Sequence, residues 1–164
     1  MVGAVVACNA MGDVWDHGQI IAGARNDENT GFANSEEWLI AHGERQLDVF
    51  SEKFVGQNTV IGCVVTNAAL TKPQTAKLAA VAQNGITSTW SRCCMTSSTS
   101  APSFTLSPSV CAMACGSVAA DPDAVGILAA RAVEEAICRG VRAAESLHGR
   151  PAIRDLPFGK DKNS

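Results

Sequence analysis

A chain of 164 residues, 46% hydrophobic and 18% charged, suits one domain with a sizeable core and excludes wholesale disorder. Its formal net charge of −3 supplies no basic face to compensate phosphates, which argues against a nucleic-acid partner. No apolar run reaches the roughly 18 residues that a membrane span needs, and no basic leader precedes the apolar start, so no membrane partner and a cytoplasmic location are expected.

In chain order, residues 2–8 (VGAVVAC) form an apolar, partly β-branched run ended by Asn9 and Gly12, which predicts a buried strand. Residues 18–24 (GQIIAGA) predict a second strand, joined to the first by a hairpin over Met11 to His17. Residues 25–57 are polar and predict an exposed linker with one helical piece, capped by Ser35.

Residues 59–67 (TVIGCVVTN) are the best strand signal in the chain, with Val60, Ile61, Val64 and Val65 suited to burial on both faces. A helix follows from about Thr71 to Asn84. Thr71 caps it, Pro73 suits its first turn, Gln74 completes a capping box and Gly85 stops it.

From Thr87 to Ser109, 13 of the 23 residues are Ser or Thr, and Arg92 is the only charge between Lys77 and Asp121. No hydrophobic period survives over residues 87–118, so this stretch is expected to be irregular and atypical. Order returns at Asp121, a cap followed by Pro122 in the first helical turn. The stripe Val125, Leu128, Ala129, Ala132, Val133, Ala136, Ile137 and Val141 predicts a helix of about six turns. The tail from His148 to Ser164 is polar and reads as loose or superficial.

Seven cysteines do not make a metal site by spacing: Cys93-Cys94 and Cys111-x-x-x-Cys115 lack the paired arrangement that zinc prefers, and no histidine lies near them. Cys8, Cys63 and Cys138 sit in apolar patterns and read as small buried residues. No metal or organic cofactor is expected.

Asn58-Thr59 stands at the mouth of the best strand, after a long polar linker. A hydroxyl nucleophile needs a base within reach. Cutting the chain before a Thr provides one, because the new α-amine has an intrinsic pKa near 8 and is partly neutral at physiological pH. The residues alone leave two readings of Thr59 open: a nucleophile of this kind, or an ordinary strand residue favoured by its β-branch.

Three segments carry a resemblance. NTVIGCVVTNAAL with TKPQTAKLAAVAQNGI is similar to the segment after the self-cleavage point of the L-aminopeptidase/D-esterase family, which includes the β-peptidyl aminopeptidases and nylon-oligomer hydrolases. VGAVVACNAMGDVWD with IIAGAR resembles that family's strand–Asn–Gly-Asp–hairpin segment upstream of the linker, and DPDAVGILAARAVEEAICRGVRAA resembles its last helix. The resemblance covers residues 2–24, 57–86 and 120–144.

What the resemblance implies is an α/β fold, with a mixed sheet and helices forming part of an α-β-β-α sandwich of the N-terminal-nucleophile-hydrolase type. It implies self-cleavage between Asn58 and Thr59, with Thr59 as nucleophile, its freed α-amine as base and Asn9 in the oxyanion site. Asn9 also reads as a turn residue that ends a strand. The implied substrates are small peptides, amides or esters, and a homo-oligomer is expected.

Family members are about twice this length, so the chain is expected to correspond to their C-terminal part: 1–58 as the end of the α-chain part and linker, 59–164 as the β-chain part. The family also carries an acidic Asp-Gly-Asp-Thr element after the helix, where this sequence has no carboxylate between Gly85 and Asp121. A shifted reading frame, restored before Asp121, accounts for both the composition and the missing acids. The alternative to a working self-processing aminopeptidase, amidase or esterase is an inactive remnant that serves as a structural or interaction domain.

Overall fold

The computed structural model describes residues 1–9, 12–42, 59–89 and 109–158. In chain order the elements are strands β1 (Val2–Asn9), β2 (Val14–Asp16) and β3 (Gln19–Ala22), helix α1 (Ser35–His42), strand β4 (Thr59–Ala68), helices α2 (Lys72–Ala82) and α3 (Asn84–Thr89), strand β5 (Ser109–Val118), helix α4 (Pro122–Ala143) and a 3-10 turn, Ile153–Asp155.

The best strand signal occupies the centre of the sheet. The strand order is β1-β4-β5, with β1 antiparallel and β5 parallel to β4. The sheet is therefore mixed, and the fold is α/β. Parallel neighbours need a crossover, and α2 and α3 lie within the one from β4 to β5.

Side chains alternate between the two faces of a strand. Val60, Val64, Ala68 and Val110 are buried on one face, with Val2, Ala4, Val6 and Ala112 packed beside them. That face meets Leu78 and Ala82 of α2, Ile86 of α3, and Val125, Ala129, Val133 and Ile137 of α4. Each fully buried Val, Leu or Ile contributes about 1.5–3 kcal/mol relative to exposure. The other face is open among the described residues: Val5 is 76% exposed, Met113 58% and Ile61 54%. The expectations of a buried strand at 2–8 and of burial on both faces at 59–67 are thus corrected, because helices cover one side only. Cys8 is exposed and Cys63 half-exposed; of the three cysteines read as buried, Cys138 alone is.

The helix ends are local chemistry. The Thr71 N–H and hydroxyl both donate to Gln74 Oε1, at 2.8 and 2.9 Å, at the start of α2. The Asp121 carboxylate accepts from the N–H groups of Asp123 and Ala124, each at 3.3 Å, and caps α4. The α4 stripe is as expected, except that Leu128 lies on the exposed side.

Other expectations change. The hairpin is not between residues 2–8 and 18–24. It joins β2 to β3 through His17-Gly18, both with positive φ (47° and 79°), the geometry of a type I′ turn, while β1 finds its partner in β4. Gly85 does not end the ordered run. It lies in the first turn of α3, where a Cβ would stand 2.2 Å from the Ala130 carbonyl oxygen of α4, so its role is close helix packing. At α1, Asn34 Oδ1 accepts from Glu37 N–H at 3.4 Å, and Ser35 bonds elsewhere.

Within residues 87–118, α3 runs to Thr89 and β5 begins at Ser109, so both ends are regular. The period in β5 is hard to read because the inward residues are Val110, Ala112 and Ala114 while Cys111 and Met113 face outward, which leaves little contrast in polarity. Trp90, Cys93-Cys94 and Phe104 lie outside the described residues. The tail is docked as far as Phe158: Ala152 and Leu156 are buried, and the Phe32 and Phe158 rings meet edge to face at 5.2 Å. No helix among the described residues is long and apolar enough to cross a membrane.

Candidate functional site

The β1–β4 register starts at Val2↔Thr66 and closes at Asn9↔Thr59. The two positions singled out in the sequence therefore stand opposite each other, where β1 ends and β4 begins. Opposed positions of an antiparallel ladder share one face of the sheet, with Cβ atoms about 4.5–5.5 Å apart. Asn9 belongs to the open face, because Val2, Ala4 and Val6 of the same strand take the covered one. Asn9 is exposed. Asn58 and the side chain of Thr59 lie outside the described residues.

Asp13 follows this end of β1 closely. It is fully buried, at 0% exposure, although the sequence reads it as part of a loop. Its Oδ2 accepts the Ser35 N–H at 2.6 Å, and its Oδ1 accepts the Ser35 hydroxyl at 3.1 Å and the Ala24 N–H at 3.3 Å. Charge-assisted bonds of this kind are among the stronger ones, and they satisfy a carboxylate that would otherwise be costly to bury. Asp13 thus ties the start of α1 and the exit of β3 to the turn after β1. The sequence hints at this corner through two glycines, Gly12 with φ 116° and Gly23, where a Cβ would stand 2.1 Å from Asp13 Oδ1.

Further along the same open face, Cys63 of β4 stands in register with Cys111 of β5. The neighbouring Cys111 side chain, and after it burial, push the Cys63 thiol above its usual pKa. On the covered side, burial, helped by the charge of Asp16, pushes the Cys138 thiol up to about 11.

Clefts border the described residues. One is formed by Arg25 and residues 146–151, another lies between α2 and β5 and is lined by Leu70, Ala76 and Met113. Neither includes Asn9 or Thr59. Among the described residues no group of three or more His, Cys, Asp or Glu could hold a metal ion.

The model of peptidase family S58 matches residues 1–154. The chain belongs to peptidase family S58. This is the DmpA, or L-aminopeptidase/D-esterase, family that the three segments resemble, and the match runs through both β1 and β4. Membership in S58 supports a hydrolase of the peptidase class. None of the curated proteins matches the chain.

Proposed function

We propose that the end of the sheet where Asn9 opposes Thr59 is the active site of an N-terminal-nucleophile aminopeptidase, acting also on amides and esters. The observation that carries this reading is the Asn9↔Thr59 register at the mouth of the central strand. Cleavage between Asn58 and Thr59 frees the Thr59 α-amine. That amine takes the hydroxyl proton as the Thr59 oxygen adds to the substrate carbonyl. The oxyanion that forms accepts a hydrogen bond from the Asn9 amide, a stabilisation that exists only as charge develops. The leaving amine departs with the proton, and water hydrolyses the Thr59 ester, releasing an N-terminal residue. The uncovered apolar face of the sheet supports a sandwich in which a second layer packs there, and it supports self-association of the isolated chain.

A second reading, an inactive remnant with a structural or interaction role, is favoured by one observation. The sequence has no carboxylate between Gly85 and Asp121 to orient the nucleophile, and Asp13 is committed to Ala24 and Ser35. The chain alone is therefore expected to stay uncut. Without a free amine as base, its turnover should fall by roughly 10²–10⁴.

The test is to weigh the purified chain before and after incubation with an aminoacyl p-nitroanilide. Two fragments divided at Asn58-Thr59, with turnover lost in Thr59→Ala, establish the nucleophile and a complete catalytic unit. A single intact mass without turnover favours the remnant.

A further inference from the structure

Independently of the peptidase reading, the open face carries a second chemical site. We propose that Cys63 and Cys111 form a dithiol that closes to a reversible disulfide across β4 and β5. The two residues are directly paired in the parallel ladder. Neighbouring strands lie about 4.8 Å apart. That falls inside the Cα separation of roughly 4.4–6.8 Å that a disulfide spans without backbone movement. Both residues belong to the face that no described helix covers; Cys111 is exposed and Cys63 half-exposed, so a small oxidant reaches them wherever no second layer or second copy is packed on that face.

Among the described residues no other cysteine has a cysteine opposite it. Cys8 faces Val60, and Cys138 is buried on α4. Cys115 lies beyond the regular pairing, where the register shifts.

The oxidant is a low-molecular-weight disulfide, RSSR. The Cys111 thiolate, the more exposed of the two, attacks one sulfur of RSSR, forming a mixed disulfide and expelling RS⁻, which takes up the Cys111 proton. Cys63 then loses its proton and attacks the Cys111 sulfur. The protein disulfide forms and a second RSH leaves. Two thiols are oxidised and one RSSR is reduced to two RSH. The link closes a loop containing α2 and α3, so the oxidised chain resists unfolding more than the reduced one.

The experiment treats the full chain with glutathione disulfide, digests it without reduction and weighs the peptides. Wild type and Cys115→Ser are expected to give a linked pair containing Cys63 that disappears on reduction and is lost in Cys111→Ser. Wild type is also expected to melt at a higher temperature after oxidation, and Cys111→Ser to show no such rise. A link to Cys63 that persists in Cys111→Ser, or wild type carrying only glutathione adducts and free thiols, overturns the proposal.

Discussion

The two faces of the β1-β4-β5 sheet are made by alternate residues of the same strands, yet they do different things. The covered face is built from Val60, Val64, Ala68 and Val110, all buried under α2, α3 and α4. The open face carries Asn9, Ile61, Cys63, Val65, Cys111 and Met113. Hydrophobic residues occur on both, so composition does not separate them; the presence or absence of a helix above does. Stability is concentrated on one side, and the groups that can do chemistry sit on the other. The cost of a substitution should therefore follow strand parity more closely than residue type.

The largest effect should come from Val64→Asp set against Val65→Asp. The first puts an unpaired carboxylate into the centre of the core and is expected to cost more than about 4 kcal/mol, enough to unfold a marginal domain. The second lands on the open face and should leave the urea midpoint nearly unchanged. Equal losses would break the comparison and show that the open face is covered in solution.

The next pair tests space. Gly85→Ala drives a Cβ to 2.2 Å from the Ala130 carbonyl oxygen, whereas a Cβ at Gly3, on the open face, meets nothing within 4 Å. Overpacking of this kind is expected to cost about 3 kcal/mol for Gly85→Ala. Gly3→Ala should be neutral or slightly stabilising in the same denaturation series.

A pH series sharpens the same contrast. The folded Cys138 thiol is raised from 9.0 to about 11, first by burial and then by the Asp16 charge. Its contribution is complete below pH 9 and is lost as pH rises through the folded value, because the unfolded chain releases the proton first. Between pH 9 and 11 the wild-type chain should lose up to roughly 2 kcal/mol more stability than Cys138→Ala. Matching slopes for the two proteins would contradict the burial of this thiol.

The smallest effect belongs to the outer surface of the helical layer. Lys77 Nζ lies 3.2 Å from Asp123 Oδ1, but both side chains are largely exposed. Lys77→Ala should not move the melting temperature measurably at physiological salt. A clear drop would mean that the α2–α4 seam depends on this pair.

Much of the helical layer is legible in the sequence, since caps and stripes act over three or four residues. Thr71 with Gln74, Asp121 with Pro122, and the period from Val125 to Ile137 each specify their element locally. The central strand is legible too, from its length and β-branched content. The family resemblance was legible because three local segments keep one order. The hairpin partner of residues 18–24 was misread because type I′ chemistry at His17-Gly18 is subtle and β1 had a longer partner available. β5 was missed because its inward alanines differ little from its outward cysteines.

The sequence by itself determined the starts of α2 and α4 and the central strand, and through the family resemblance it pointed to the α/β class and the candidate residues Asn9 and Thr59. Tertiary structure alone decided that Asn9 opposes Thr59, that Cys63 opposes Cys111, that Asp13 is buried, and which face of the sheet stays open. The physical reason is range. Capping and periodicity are set by bonds between near neighbours in the chain, whereas register between distant strands is set by which alignment puts Val60, Val64 and Val110 together under the helices. A shift of one residue would turn those side chains to the open face and lose their burial, so the core fixes the register, and the register sets Asn9 opposite Thr59.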